Sequence, residues 1–190
     1  TEASRLSAAI TERTGGNPYD SVELINALRQ DGLLTPHNGT WKWDEAAIRQ
    51  YVGDCDVVGL LGRRIDRLPP ESQDLLEILA CLGGEVSTNL LEIASGLDTV
   101  ALESRLAPAL EDGLIVSLTT HEREIRFRHD RVQQAMHERM MASDVKVQVG
   151  LLLARRLAPH PKLAALAAKQ YLPSQHLLTD DAECRSVITL

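Results

Sequence analysis

The sequence predicts a mainly α fold: a small helical unit carrying a β-hairpin, then a winged-helix unit with a small β-wing, then further helices. Three observations predict it. Leu and Ala dominate the apolar residues and aromatics make up only 3% of the chain, a bias that favours helices. Apolar residues recur at helical spacing between Gly, Pro and Asn punctuation over most of the chain. In the middle of the chain the elements run helix, short strand, helix, helix, strand, turn, strand, which is the order of a winged helix.

The first unit runs from residue 1 to a boundary within residues 53–70. Leu6 and Ile10 share one face of a helix over residues 4–13, which Gly15-Gly16-Asn17-Pro18 stops. The same corner starts the next helix, since Asn17 is a good N-cap and Pro18 has the fixed φ and missing N–H that suit a first helical position. Val22, Ile25 and Leu28 make its apolar face, ended at Asp31-Gly32. Leu33-Leu34 and Trp41-Lys42-Trp43 then flank Asn38-Gly39, a pair that tolerates the positive φ of a hairpin turn. Alternation puts Trp41 and Trp43 on one face, either as a partner-binding patch or as local packing. Asp44 caps a short helix. Val57 to Leu68 is helical again despite Gly59 and Gly62, and Pro69-Pro70 closes it, so the main boundary lies within residues 53–70.

The winged-helix unit follows that boundary. Leu75, Leu79 and Leu82 form a helix face before Gly83-Gly84, Glu85 to Ser87 a short strand, and Asn89 to Ser95 a helix ended by Gly96. Asp98 caps a third helix with Leu102, Leu106 and Leu110 on one side, ended at Gly113. Leu114 to Leu118 and Arg123 to Arg128, joined by the polar turn Thr119 to Glu122, are the wing; Ile125 and Phe127 point inward. Asp130 caps a helix whose Val132, Met136 and Met140 share a face. Residues 143–190 hold further Ala/Leu-rich helices, at roughly 145–158 and 162–171.

Composition bounds the function. A net charge of -7 argues against general affinity for phosphate backbones, and residues 72–130, with eleven acidic and four basic side chains, would repel DNA from the third helix of the wing unit. Nucleic acid is therefore an unfavoured partner. Cys55, Cys81 and Cys184 are odd in number and widely spaced, which predicts reduced thiols in a cytoplasmic protein and neither a disulfide framework nor a zinc site. No apolar run approaches the roughly 20 residues of a membrane span. Opening on a helical pattern without Met, Thr1 reads as a cut inside a longer polypeptide.

Motifs narrow the chemistry further. There is no GxxxxGK[ST], GxSxG, HExxH or GxGxxG, and the His residues are scattered, so no catalytic residue and no metal ligand is predicted. Phe127-Arg128-His129-Asp130-Arg131 has the wrong order for a kinase catalytic loop. A phosphoacceptor role for His129 is set against the strand directly before it. Two readings stay open: His129 as an imidazole reaching a phosphate, worth about 1.5–3 kcal/mol if charged, or His129 packing at a junction with Asp130 as an N-cap. Gly16-Asn17-Pro18 is likewise either a surface for a flat ligand such as a base or a plain helix–helix turn.

Taken together, Thr14 to Tyr19, Glu23-Leu24, Asp31 to Leu34, Trp41 to Asp44, Arg63 to Pro69 and Phe127 to Ala135 resemble the second half of a STAND-type signalling ATPase. More narrowly, they resemble the AAA-type module of large bacterial proteins that join a Ser/Thr kinase to a sensor histidine kinase. The resemblance implies that residues 1–55 are the helical lid after a nucleotide-binding core, 56–142 its winged-helix domain and 143–190 the lead into a helical repeat region. It implies nucleotide contacts from Gly16, Asn17 and Pro18, against adenine, and from His129, on the ADP β-phosphate, with Arg128 and Asp130 supporting. ADP or ATP would be the cofactor of the parent protein, with weak or no binding by these residues alone because the Walker motifs lie outside them. The implied partners are the core and the kinase or sensor domains of the same polypeptide, with a homo-oligomer open. The implied mechanism is a switch in which ADP holds the resting state and exchange for ATP releases the winged helix.

Overall fold

A computed structural model describes residues 2–37, 40–54, 56–119, 123–142 and 145–188. Contacts divide the chain into two compact units, Thr1–Arg64 and Ile65–Leu190. Among the described residues helices dominate both, and each has one small antiparallel sheet.

The first unit comprises α1 (Glu2–Thr14), α2 (Pro18–Gln30), β1 (Leu34–His37), β2 (Thr40–Trp43), α3 (Glu45–Asp54) and most of α4 (Val57–Asp66). Its core joins Ile10, Leu24, Leu28, Leu34, Ile48 and Leu60, with Trp43 and Tyr51 packed against it. Here the expected face of α2 is corrected. Val22 is 54% exposed, and the buried stripe is Asp20, Leu24 and Leu28. Two apolar stripes overlap on this helix, and the i, i+4 Leu pair removes more apolar surface from water than Val22 and Ile25 would. Asp44 Oδ1 accepts from Ala46 N at 2.9 Å, so α3 begins at the expected cap. β1 and β2 pair from Leu34↔Trp43 to His37↔Thr40. The predicted Asn38-Gly39 turn between them lies outside the described residues.

The second unit runs α5 (Pro70–Leu82), β3 (Glu85–Ser87), α6 (Thr88–Ser95), α7 (Thr99–Glu111), β4 (Ile115–Thr119), β5 (Arg123–Phe127), α8 (Asp130–Ala142), α9 (Val145–Leu157), α10 (Ala164–Ser174) and α11 (Asp181–Ile188). The strand order is β3-β5-β4, antiparallel throughout, with Ile125 and Phe127 turned into the core. Residues 120–122 of the predicted wing turn lie outside the described residues. A sequence face of Leu75, Leu79 and Leu82 understates α5. Ser72, Leu75, Leu76, Ile78, Leu79 and Ala80 are all buried, because α6, α7, α8, α9 and β3 each touch this helix. Leu82, at its end, is only half-buried.

Beyond α8 the chain stays within the second unit. α9 packs on α5, α6, α8 and α10, and Gly150 brings it close to α10, where a Cβ would meet Gln170 O and Ser174 Oγ at 3.5 Å. Arg156 donates to Ala94 O at 2.8 Å and Gln170 to Cys81 O at 2.9 Å, closing carbonyls at the ends of α6 and α5. Among the described residues no helix is long and apolar enough to cross a membrane.

Candidate functional site

The two sequence-predicted sites lie in different units, and each is built locally. In the first unit α1 ends at Thr14 and the chain reverses through Gly15 and Gly16, at φ +59° and +76°. Both are left-handed conformations that glycine adopts without a Cβ penalty. Asn17 Oδ1 accepts from Tyr19 N at 3.0 Å and Asp20 N at 3.2 Å, satisfying two of the free amides at the start of α2, and Pro18 follows as expected.

Hydroxyl groups fasten the corner from inside. Thr14 Oγ1 donates to Ile10 O at 2.8 Å and lies 2.9 Å from Ser21 Oγ, which donates to Asn17 O at 2.8 Å. Thr14 is buried, whereas Gly15, Gly16 and Pro18 are exposed, and no heavy atom stands within 4 Å of where a Cβ on either glycine would be. The outcome is an uncluttered ledge of glycine backbone and proline ring. Such a ledge suits van der Waals contact with a flat ring and offers it no charge.

Other residues of the resembling set hold the unit together. Arg64 forms an ion pair with Glu23, with only 18% and 11% of the two side chains exposed. Arg63 lies 5.5 Å over the Tyr51 ring and donates to its hydroxyl at 3.1 Å; that hydroxyl donates to Asp31 at 2.6 Å. These contacts tie α4 to α2 and α3.

In the second unit His129 stands between β5 and α8 and is half-buried. Its Nδ1 accepts from Arg131 N at 3.2 Å, and its carbonyl accepts from Val132 N at 2.9 Å. His129 is therefore the cap of α8. The expectation that Asp130 caps this helix is corrected: Asp130 is its first residue, exposed, where its carboxylate complements the positive end of the helix dipole. With Nδ1 accepting, Nε2 is the ring nitrogen that can donate, and a hydrogen bond from it to a phosphate would be worth about 0.5–1.5 kcal/mol.

Arg128 N donates to Leu114 O at 3.0 Å, and the Arg128 guanidinium covers Gly113, 3.6 Å from the position of a Cβ there. One contact went unforeseen in sequence: Gln133 Nε2 donates to Gly83 O at 3.1 Å, so the first turn of α8 closes over the turn between α5 and β3. Gly84, at φ +90°, leaves room for that amide, which a Cβ would meet at 2.8 Å.

Among the described residues no three His, Cys, Asp or Glu side chains gather as a metal site. Cys81 and Cys184 are half-buried free thiols, and burial pushes the Cys81 thiol up to about 11, leaving it a poor nucleophile; Cys55 lies outside the described residues. Comparison of the chain with known protein families, with curated proteins and with solved structures gives no match, so the chemistry of these residues carries the functional argument.

Proposed function

We propose that this chain is the regulatory lid and winged-helix portion of a cytoplasmic signal-transduction ATPase, serving as a nucleotide-dependent clasp with no catalytic residues of its own. The observation that carries the reading is the second unit's topology. An α-β-α-α-β-β order whose first strand pairs with the last, as β3 does with β5, is what a winged helix requires, and His129 directly follows that last strand. The ledge at Gly15-Gly16-Asn17-Pro18, with both glycines and the proline exposed, supports the lid assignment independently.

In this reading the Gly16-Asn17-Pro18 ledge lies against the adenine ring, while His129 donates from Nε2 to the β-phosphate, with Arg128 and Asp130 flanking. A nucleotide supplies the phosphate charge that distinguishes the two states of the switch. The core and the kinase or sensor domains of the same polypeptide are the partners, and a homo-oligomer is a further state of the released form. DNA recognition is the weaker reading because α7 is acidic and its Glu103 already pairs with Arg123. Phosphotransfer is weaker because His129 Nδ1 is engaged in the cap.

Calorimetry tests the proposal. The 190-residue chain should bind ADP weakly or undetectably, and the polypeptide extended N-terminally through a nucleotide-binding core should bind it tightly. In that longer protein His129→Ala should weaken ADP by about two- to tenfold. His129→Asn, which keeps an acceptor for Arg131 N, separates loss of the ligand contact from loss of the cap. Unchanged ADP affinity in His129→Ala would remove the clasp role.

A further inference from the structure

The hairpin of the first unit carries an interaction surface that the clasp does not use. β1 and β2 form a sheet of only two strands, a size marginally stable alone in water. Pro36, opposite Trp41, has no N–H to give the ladder and so belongs to a non-hydrogen-bonded pair. Alternation from there assigns hydrogen-bonded pairing to Thr35↔Lys42 and His37↔Thr40, and turns the N–H and C=O of Trp41 and Trp43 toward the outer edge of β2. At the other edge, Pro36 lacks the donor an incoming strand needs.

A groove of about 340 Å³ is lined by the four consecutive β2 residues Thr40 to Trp43 with His37, Arg5 and Glu45. Thr40, Trp41 and Lys42 are exposed. One face of the hairpin is apolar, with Leu34, Pro36, Trp41 and Trp43; the other is polar and basic, with Thr35, His37, Thr40 and Lys42. Arg29 lies 5.4 Å over the Trp41 ring. Glu45, the carboxylate in the groove, is engaged by Arg49 at 3.0 Å and Arg5 at 3.7 Å. Arg5, Arg29, Lys42 and Arg49 thus outnumber Glu45 and the adjacent exposed Asp44 around β2, on a chain whose net charge is -7.

We propose that β2 is a strand-addition site for an extended peptide segment of a partner protein, with acidic side chains alternating with apolar ones. Its main chain pairs with the outward groups of Trp41 and Trp43, its apolar side chains cover the Trp41 and Pro36 face, and its carboxylates meet Lys42 and the basic face. A single-stranded nucleic acid fits less well, because a phosphate backbone has acceptors but no donor for the Trp41 and Trp43 carbonyls. This surface stands apart from the nucleotide reading.

The test uses the full 190-residue chain and the capped peptide Glu-Val-Glu-Val-Glu. Trp41 and Trp43 are the only two Trp residues, so their emission reports binding directly. Saturable quenching is expected, together with slowed hydrogen exchange at the Trp41 and Trp43 amides. A peptide N-methylated on the alternate residues facing β2 should bind roughly tenfold or more weakly, and Lys42→Glu should weaken the parent peptide roughly fivefold. Four results would each overturn the proposal: no binding at about 1 mM peptide, equal binding of the N-methylated peptide, equal binding of Lys-Val-Lys-Val-Lys, or tighter binding of oligothymidylate.

Discussion

Single residues decide both candidate sites by conformation more than by charge. Asn17 holds two amides at the start of α2, so Asn17→Ala should lower the stability of the first unit by about 1 kcal/mol, while Asn17→Asp should retain it. Hydrogen exchange of the α2 amides measures this; equal protection in Asn17→Ala would mean that the Thr14 and Ser21 hydroxyls alone fix the corner. At Gly84 the φ of +90° is the larger obstacle, since the Gln133 amide that a Cβ would strike is the end of a flexible side chain. Gly84→Ala should therefore cost about 1–3 kcal/mol, and the cost should persist in a Gln133→Ala background. Full relief in the double variant, measured by urea unfolding, would assign it to the clash. Residue-level chemistry was partly legible in the sequence. Asn17, Asp44 and Asp98 cap the helices they precede because a cap depends only on neighbours two or three residues away. For α8 the sequence points to Asp130 because either residue could accept the amide, and only the turn of the chain out of β5 brings His129 Nδ1 to it.

At the scale of elements, helix positions follow from periodicity and punctuation, but the side each helix buries depends on what surrounds it. α5 buries a broader face than its Leu75, Leu79 and Leu82 stripe, with Glu71 and Asp74 left exposed; α2 carries two apolar stripes, and tertiary contact selects between them. The bonds that assemble the elements join residues far apart in sequence, such as Arg64 with Glu23 and Gln170 with Cys81, and no local pattern announces them. The last helix shows how such a bond acts. Glu183 on α11 accepts from Arg155 Nε at 2.8 Å and Nη2 at 2.9 Å on α9, and from Tyr171 on α10 at 3.1 Å. The Arg155 hydrogen bonds, aided by Tyr171, hold the Glu183 carboxyl below its ordinary range. Because its folded value is the lower one, Glu183 contributes stability above the ordinary carboxylate value of about 4.3, and that contribution fades as pH falls through the folded value. Glu183→Gln should accordingly melt below the native chain near pH 7, with the gap closing as pH falls below the ordinary carboxylate value. A gap independent of pH would show that the carboxylate charge is not what docks α11.

For the whole molecule, the division at Arg64 and Ile65 falls inside one helix. Within α4, Arg64 pairs with Glu23 of the first unit, whereas Asp66 pairs with Arg139 of the second. Each unit has its own hydrophobic core and its own sheet, and the second is much the larger. Residues 65–190 should therefore fold without the first unit, giving a helical circular dichroism spectrum and a cooperative thermal transition. Within that piece Leu79→Ala, at a position with no exposure in the centre of α5, should cost about 2–5 kcal/mol. A broad, non-cooperative melt of residues 65–190, or a Leu79→Ala change without effect, would mean that the second unit depends on the first for its packing. The proposed clasp requires the opposite. A winged-helix unit that moves when the nucleotide changes must carry its core and the His129 cap with it as one body, so its independence in isolation is a condition of the mechanism that can be measured without any nucleotide.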